Sequence, residues 1–132
     1  MENNWRQKSL ENLEKDKWPE LSQMESSNLV KTCYSLRKKT IQDFSIEDLR
    51  IMIQQGIGLY YLIPTAIEVL KTDLFAEGNM FKGDLLKAVL NIETKFWNDN
   101  RNYWHQLNEI VKHKRPEILK MKFDISKFDI SI

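Results

Sequence analysis

Two histidines lie in one stretch of sequence with helical character, and histidine is the side chain that most readily binds metals or transfers protons near neutral pH. His105 and His113 are eight positions apart. In an α-helix this spacing separates them by about 80° around the axis and about 12 Å along it. Two helical ligands of one metal ion are nearer four residues apart, so the spacing argues against a zinc site and favours solvent-exposed or partner-facing histidines.

Cys33 is the only cysteine, which excludes an intrachain disulfide. It falls in an apolar helical stripe and has no histidine near it in sequence, so the pattern favours a buried apolar residue over a reactive thiol. Among the carboxylates, Glu47 and Asp48 begin a predicted helix, where the helix dipole favours them. Glu68 interrupts an apolar segment and is either the polar edge of a buried helix or a partner contact.

Sequence motifs of catalysis and phosphate binding are missing from the chain. Gly56-Ile57-Gly58 lacks the third glycine, the following Lys-Ser/Thr pair and the preceding strand of a phosphate loop. A G-x-S-x-G nucleophile elbow does not occur either. Active sites can also be assembled from scattered residues, so a hydrolase or transferase stays a competing class. We expect no catalytic residue, no cofactor and no metal, and a function by binding.

Length and charge limit the classes of partner. The 132 residues, 42% hydrophobic and 30% charged, predict one soluble globular domain spanning 1–132. Twenty basic and nineteen acidic residues leave a net charge of +1, which gives no global field for nucleic acid or an anionic membrane. Basic clusters at 37–39 and 112–115 nevertheless keep a small helical nucleic-acid-binding module as the alternative. The N-terminus resembles no signal peptide and the longest apolar stretch, 57–70, is interrupted, which predicts a cytoplasmic protein.

The elements that must position any site are predicted to be helices. Only four glycines and three prolines are present, and the apolar residues follow helical spacing, so we expect an all-α domain of about six helices. Ser9, Ser27 and Ser45 are the predicted N-caps, the last in a capping box. In the second helix, the predicted apolar stripe consists of Leu29, Val30, Cys33, Tyr34 and Leu36.

The most buried helix is expected to be the central one. Gly56 suits the left-handed C-terminal residue of the helix that follows Ser45, and Gly58 opens the next segment. Segment 59–70 is apolar nearly all round and contains Pro64, which either kinks the helix or begins its second half. A further apolar helix is predicted over 85–92. The last helix should begin near Asn98-Asp99-Asn100, run to about Lys114 and be closed by Pro116.

The C-terminus carries a five-residue repeat, in which Lys122-Phe123-Asp124-Ile125-Ser126 is followed by Lys127-Phe128-Asp129-Ile130-Ser131. An odd period alternates faces in a strand, so both copies cannot bury the same side of one strand. An edge strand, a mobile tail and a segment that orders on a partner all remain open. We expect residues 117–132 to form a short, mobile, non-helical tail.

A resemblance to a known family rests on a long central block. It consists of 44–59, 61–64, 66–70, Leu74, 76–78 and 83–86, with 9–14 and Trp18 upstream and 96–97, Trp104 and 107–109 downstream. Together these segments resemble the immunity proteins of contact-dependent growth inhibition systems, over roughly residues 9–112. The repeated tail lies outside the resemblance.

The resemblance implies a protein that captures, in a one-to-one complex, the C-terminal toxin domain of a large effector delivered by a neighbouring bacterium. Toxins of this class are often nucleases that act on RNA, including transfer RNA. The apolar residues of the shared block read as core, so toxin contacts are expected among exposed polar and aromatic residues at helix ends and connections. The predicted toxin-binding residues are Tyr60, Glu68, Asp73, Glu77, Asn79, Asp84, Asp99, Tyr103 and His105.

Overall fold

The computed structural model describes residues 3–21 and 26–131, and the described part of the chain is all-α, as predicted. These described residues form eight α-helices where about six were expected, because α6 and α8 are short helices without a clear start signal. Two 3-10 helices, Trp5–Gln7 and Ile41–Asp43, precede α1 and α3. The α-helices are α1 (Leu10–Glu14), α2 (Asn28–Lys38), α3 (Ile46–Gln54), α4 (Leu59–Thr72), α5 (Asp84–Leu90), α6 (Thr94–Asp99), α7 (Arg101–Lys120) and α8 (Ser126–Asp129).

The three predicted serine caps are confirmed. The hydroxyl oxygens of Ser9 and Ser27 accept hydrogen bonds from the backbone amides three residues later, at 3.2 Å each. Ser45 forms a full capping box with Asp48: the Ser45 hydroxyl accepts from the Asp48 amide, and the Asp48 carboxylate accepts from the Ser45 amide. These bonds satisfy amides that have no partner within the helix.

Helix α4 is the central helix and packs against α3, α5 and α7. It buries Leu62, Ile63, Ala66, Ile67 and Leu70 completely or almost so, which confirms the predicted burial. Gly58, at φ +66°, precedes it in the left-handed conformation. A Cβ at this glycine would lie 2.6 Å from Cδ1 of Leu10, so the start of α4 needs glycine for its backbone angle and for the close approach of α1.

The predicted apolar stripe of α2 is only partly right. Leu29 and Val30 are exposed, whereas Cys33 and Leu36 are buried. The buried residues of α2 begin at Cys33, so its second half packs on α1 and α3 while its first turn extends beyond them. Arg37, which periodicity did not place in the core, is also buried, since the Glu14 carboxylate and the Asp16 carbonyl oxygen accept its hydrogen bonds.

The prediction that Pro116 closes the last helix is wrong. Helix α7 runs through this proline to Lys120. A proline inside a helix costs about 3 kcal/mol through its missing amide and its ring. Ile118, one turn beyond Lys114, is fully buried, and burial of such a side chain contributes about 1.5–3 kcal/mol. Continuing the helix is what carries Ile118 into the core.

The expected mobile, non-helical tail over 117–132 is also wrong. Residues 117–120 belong to α7, and the left-handed Lys122 (φ +62°) reverses the chain so that α8 returns to the core. Phe123 and Phe128, equivalent positions of the repeat, are both buried. A five-residue period would place the two copies on opposite faces of a strand. A turn followed by a helix instead lets Phe123 and Phe128 face the same core.

Tryptophan side chains of α6 and α7 pack against α8. Trp104 Nε1 donates to the Phe128 carbonyl oxygen at 2.9 Å, and the two rings stack with centroids 5.0 Å apart. Trp97 meets Phe128 edge-on at 5.4 Å. Arg115 adds two hydrogen bonds to the Asp129 carboxylate, at 3.0 and 2.9 Å. The segment is therefore part of the folded domain.

Candidate functional site

The connection between α4 and α5 is built around two carboxylates that bind consecutive backbone amides. Asp84 accepts from the amides of Gly78 (2.7 Å), Met80 (3.0 Å) and Phe81 (3.3 Å). The fourth amide of the run, that of residue 79, donates to Glu47 Oε1 at 2.9 Å. A Cβ at Gly78 would lie 2.6 Å from this same oxygen, which explains the glycine. The main chain of the connection is thereby fixed in one conformation.

Arg50 links the two carboxylates. Its Nε and Nη2 donate to both oxygens of Glu47, at 2.7 and 2.6 Å, and its Nε lies 3.8 Å from Asp84 Oδ2. The hydrogen bond from this guanidinium lowers the pKa of Glu47, and the carboxylate in turn raises the pKa of Arg50. The guanidinium thus binds the Glu47 carboxylate directly and lies beside that of Asp84, an arrangement that fixes the loop.

A groove of about 630 Å³ opens beside this connection, between the end of α3, the start of α4, and α5 and α6. Its apolar lining includes Ile53, Leu59, Ala88 and Phe96. Met80 and Phe81 form one rim, with 64% and 41% of their surface exposed. Exposed apolar residues beside an apolar groove are typical of a binding surface.

The charged groups along the groove are mostly paired within the chain. Lys95 binds Asp99 at 3.0 Å, and Glu93 binds Lys127 at 3.3 Å. Lys87 differs: its Nζ lies 5.4 Å from the centroid of the Phe81 ring, and no carboxylate of residues 3–21 or 26–131 is within ion-pair distance of it. The groove thus offers apolar surface and, among the described residues, a lysine without a carboxylate partner.

Two of the predicted site residues, Tyr60 of α4 and Tyr103 of α7, contact each other next to the groove-lining residue Leu59. We call this pair the tyrosine edge. Their ring centroids are 5.9 Å apart, and the Tyr103 hydroxyl donates to the Tyr60 carbonyl oxygen at 3.1 Å. That carbonyl has no helical partner, because Pro64, four residues later, has no amide hydrogen. Burial, and then the nearby tyrosines, raise the pKa of Tyr103 to about 12.

Comparison with known protein families decides the identity. The family model of the CDI immunity proteins, the immunity proteins of contact-dependent growth inhibition, matches residues 12–107. The chain belongs to this family. Its function is therefore immunity against the toxin of such a system, and the resemblance inferred from 9–112 is confirmed. Searches of curated proteins and of solved structures found no match.

The groove and the tyrosine edge lie within the part that matches the immunity family, whereas the last turns of α7 and all of α8 lie outside it. No helix in residues 3–21 and 26–131 is long and apolar enough to cross a membrane. Within the same residues, no group of three histidine, cysteine or acidic side chains is arranged to hold a metal ion. Burial raises the pKa of Cys33, which disfavours the thiolate.

The other predicted contact residues are distributed over the surface. Asp99 lines the groove, and Asn79 and Glu77 belong to the connection that carries its rim. Glu68 and Asp73 are exposed further along and at the end of α4, and Glu68 forms an ion pair of 2.8 Å with Arg6. His105 is exposed on α7 beside Trp104.

Asp84 has to be removed from the candidate contacts. Only 3% of it is exposed, and three backbone amides occupy its carboxylate. The sequence places it directly after Gly83 at the start of a helix, and polar residues at helix ends were expected to be exposed. The fold instead places the connection over it, so that it stabilises the rim from inside.

The basic clusters, which supported a nucleic-acid-binding module, are largely neutralised. Arg37 is buried against Glu14 at 2.7 Å, and Lys39 binds Asp48 at 2.7 Å. In the second cluster, Lys112 binds Glu109 and Arg115 binds Asp129. Four of the six lysines and arginines in the two clusters are thus paired, which weakens that alternative.

Sequence reasoning missed Met80, Phe81 and Lys87. The available signal was two adjacent large apolar residues in a connection bounded by Asn79 and Gly83, where no helical period explains them. Apolar residues at such a position are either anchored in the core or exposed for a partner, and only the fold distinguishes the two.

Proposed function

We propose that this chain neutralises its cognate toxin domain by forming a one-to-one complex in the cytoplasm, and that the toxin is a nuclease whose substrate is RNA, such as transfer RNA. The observation that carries the proposal is the family match over residues 12–107. Inhibition by binding needs a rigid shape and no reacting group. The internally paired charges beside the groove support binding rather than catalysis.

The exposed acids support a nuclease as partner. Glu68, Asp73, Glu77 and Asp99 are exposed in a chain whose net charge is only +1, so any attraction for a basic cleft is local. Such local complementarity mainly raises the association rate and selects the partner. Together with Tyr60, Asn79, Tyr103 and His105, these acids are our proposed contact residues.

Co-expression tests the proposal. The C-terminal domain of the large effector encoded immediately upstream is induced in a susceptible bacterium, with and without this chain. We expect growth to stop without the chain and to continue with it, and an unrelated toxin domain of the same delivery class to remain lethal. Failure of the chain to restore growth against the upstream domain would refute the immunity proposal.

The nuclease part is tested separately with purified proteins. The toxin domain alone should cleave cellular RNA, and cleavage should stop once the chain reaches equimolar concentration. Isothermal titration calorimetry should give a stoichiometry of one. A toxin domain that leaves RNA and DNA intact while still stopping growth would contradict the nuclease assignment, without affecting immunity by binding.

A further inference from the structure

The groove rim combines two features that point to a protein partner. Met80 and Phe81 expose apolar surface side by side, while the main chain beneath them is fixed by Asp84 and Glu47. Contacts of a rigid loop cost little ordering entropy on binding. The connection therefore presents exposed apolar side chains on a fixed main chain, with the Phe81 ring also 6.3 Å from the ring of Phe123.

The charge beside the rim specifies the partner further. The Nζ of Lys87 lies 5.4 Å from the centroid of the Phe81 ring. Two carboxylates of the groove are already engaged, Glu93 by Lys127 and Asp99 by Lys95. A ligand that complements this site brings an apolar side chain for the groove and a carboxylate for Lys87.

We infer that the toxin domain docks in this groove, inserting an apolar side chain beside Met80 and Phe81 and placing a carboxylate against Lys87. The inference rests on the proposed function, since the toxin is the occupant. A standard interface buries about 800 Å² on each partner, so the contact surface includes residues beyond the groove lining. It extends from the groove to Asn79, directly before Met80, and to Tyr60, directly after the lining residue Leu59.

Binding of rim variants to the upstream-encoded toxin domain tests this inference. Met80→Ala removes apolar surface from the rim, and Leu119→Ala is its control, since Leu119 is similarly exposed (53%) on α7 away from the groove lining. Lys87→Glu reverses the charge, and Lys114→Glu, exposed on α7, is the control. All four variants should keep the wild-type thermal midpoint within about 2 °C, because surface substitutions change stability little.

We expect each rim variant to raise the dissociation constant at least about tenfold, while each control stays within about threefold. For Lys87→Glu, much of the loss should lie in the association rate and should shrink as salt is added. Rim variants that bind like wild type would overturn the groove assignment and leave the immunity function intact.

Two other results would also overturn the groove assignment. If the wild-type chain does not bind the toxin domain, the proposed function falls and the groove assignment falls with it. If the chain alone forms dimers in sedimentation equilibrium, and Met80→Ala makes it monomeric, then a second copy covers the groove.

Discussion

Asp84→Ala should destabilise the protein through the α4–α5 connection. The substitution removes the acceptor of three backbone amides in a carboxylate site that is almost fully buried. The amides of the exposed rim residues can be rehydrated in part, so we assign about 1 kcal/mol to each, below the roughly 1.5–3 kcal/mol of hydrogen bonds to a charged group. The expected loss in the free energy of unfolding is about 3 kcal/mol, a large part of a typical stability.

Two variants with smaller expected losses serve as comparisons. Asp84→Asn keeps the shape and one acceptor oxygen but presents an amide group to the remaining backbone donors, so we expect a loss of about 1–2 kcal/mol. Asp73→Ala removes an exposed aspartate at the end of α4 and should cost less than about 0.5 kcal/mol.

Urea denaturation followed by circular dichroism at 222 nm measures all three variants, with the slope m checked for constancy. Asp84→Ala should lower the melting temperature by roughly 12 °C, at about 4 °C per kcal/mol. Amide hydrogen exchange at residues 78–81 should accelerate more than exchange in α4. A loss below about 1 kcal/mol, or one equal to that of Asp73→Ala, would refute the role of this carboxylate.

Three further predictions concern the C-terminal segment, the tyrosine edge and the start of α4. Phe128→Ala should cost about 3–5 kcal/mol in urea denaturation, against less than about 0.5 kcal/mol for Ile130→Ala, because the former side chain is fully buried and the latter is 73% exposed; equal effects would mean that α8 is not docked. Since the pKa of Tyr103 is raised to about 12 in the folded chain, from an ordinary value of 10.0, its contribution to stability is complete below pH 10 and is lost as the pH rises toward 12. The 295 nm absorbance of wild type minus that of Tyr103→Phe should therefore titrate near pH 12, and a midpoint near 10 would contradict the burial. Gly58→Ala should cost more than Gly56→Ala in thermal denaturation, by about 1 kcal/mol or more, because both glycines have positive φ but only the first has no space for a Cβ; similar costs would show that the close approach of α1 is relaxed easily.

Local signals in the sequence identified most of the fold. Serine caps at 9, 27 and 45 were found because one side-chain bond to a near neighbour decides them. The burial of α4 was also predictable, because the segment 59–70 is apolar on nearly all of its helical faces. The predictions at Pro116 and over the repeat 122–131 were wrong because local rules disfavour a helix at both places. Burial of Ile118 and Phe128 against distant residues outweighs those rules.

The candidate site was less predictable, because its shape depends on contacts between segments distant in sequence. Tyr60 and Tyr103 were selected separately, and their contact follows from the freed carbonyl next to Pro64. Asp84 was misassigned because its ligands are the amides of its own preceding loop, which only the folded connection brings over it. The exposure of Met80 and Phe81 follows from the same folded connection.

In the rim, the groups that fix the loop conformation are different from the side chains that the loop exposes, whereas in many binding loops the same residues do both. The conformation of 78–81 depends on backbone amides held by carboxylates at positions 47 and 84, and backbone amides are the same for every residue type except proline. The side chains at 80 and 81 take no part in this amide support, although the Phe81 ring also contacts the ring of Phe123, with centroids 6.3 Å apart. A scaffold of this kind can be redirected to a different toxin by changing a few exterior positions, while the residues that hold the loop stay as they are.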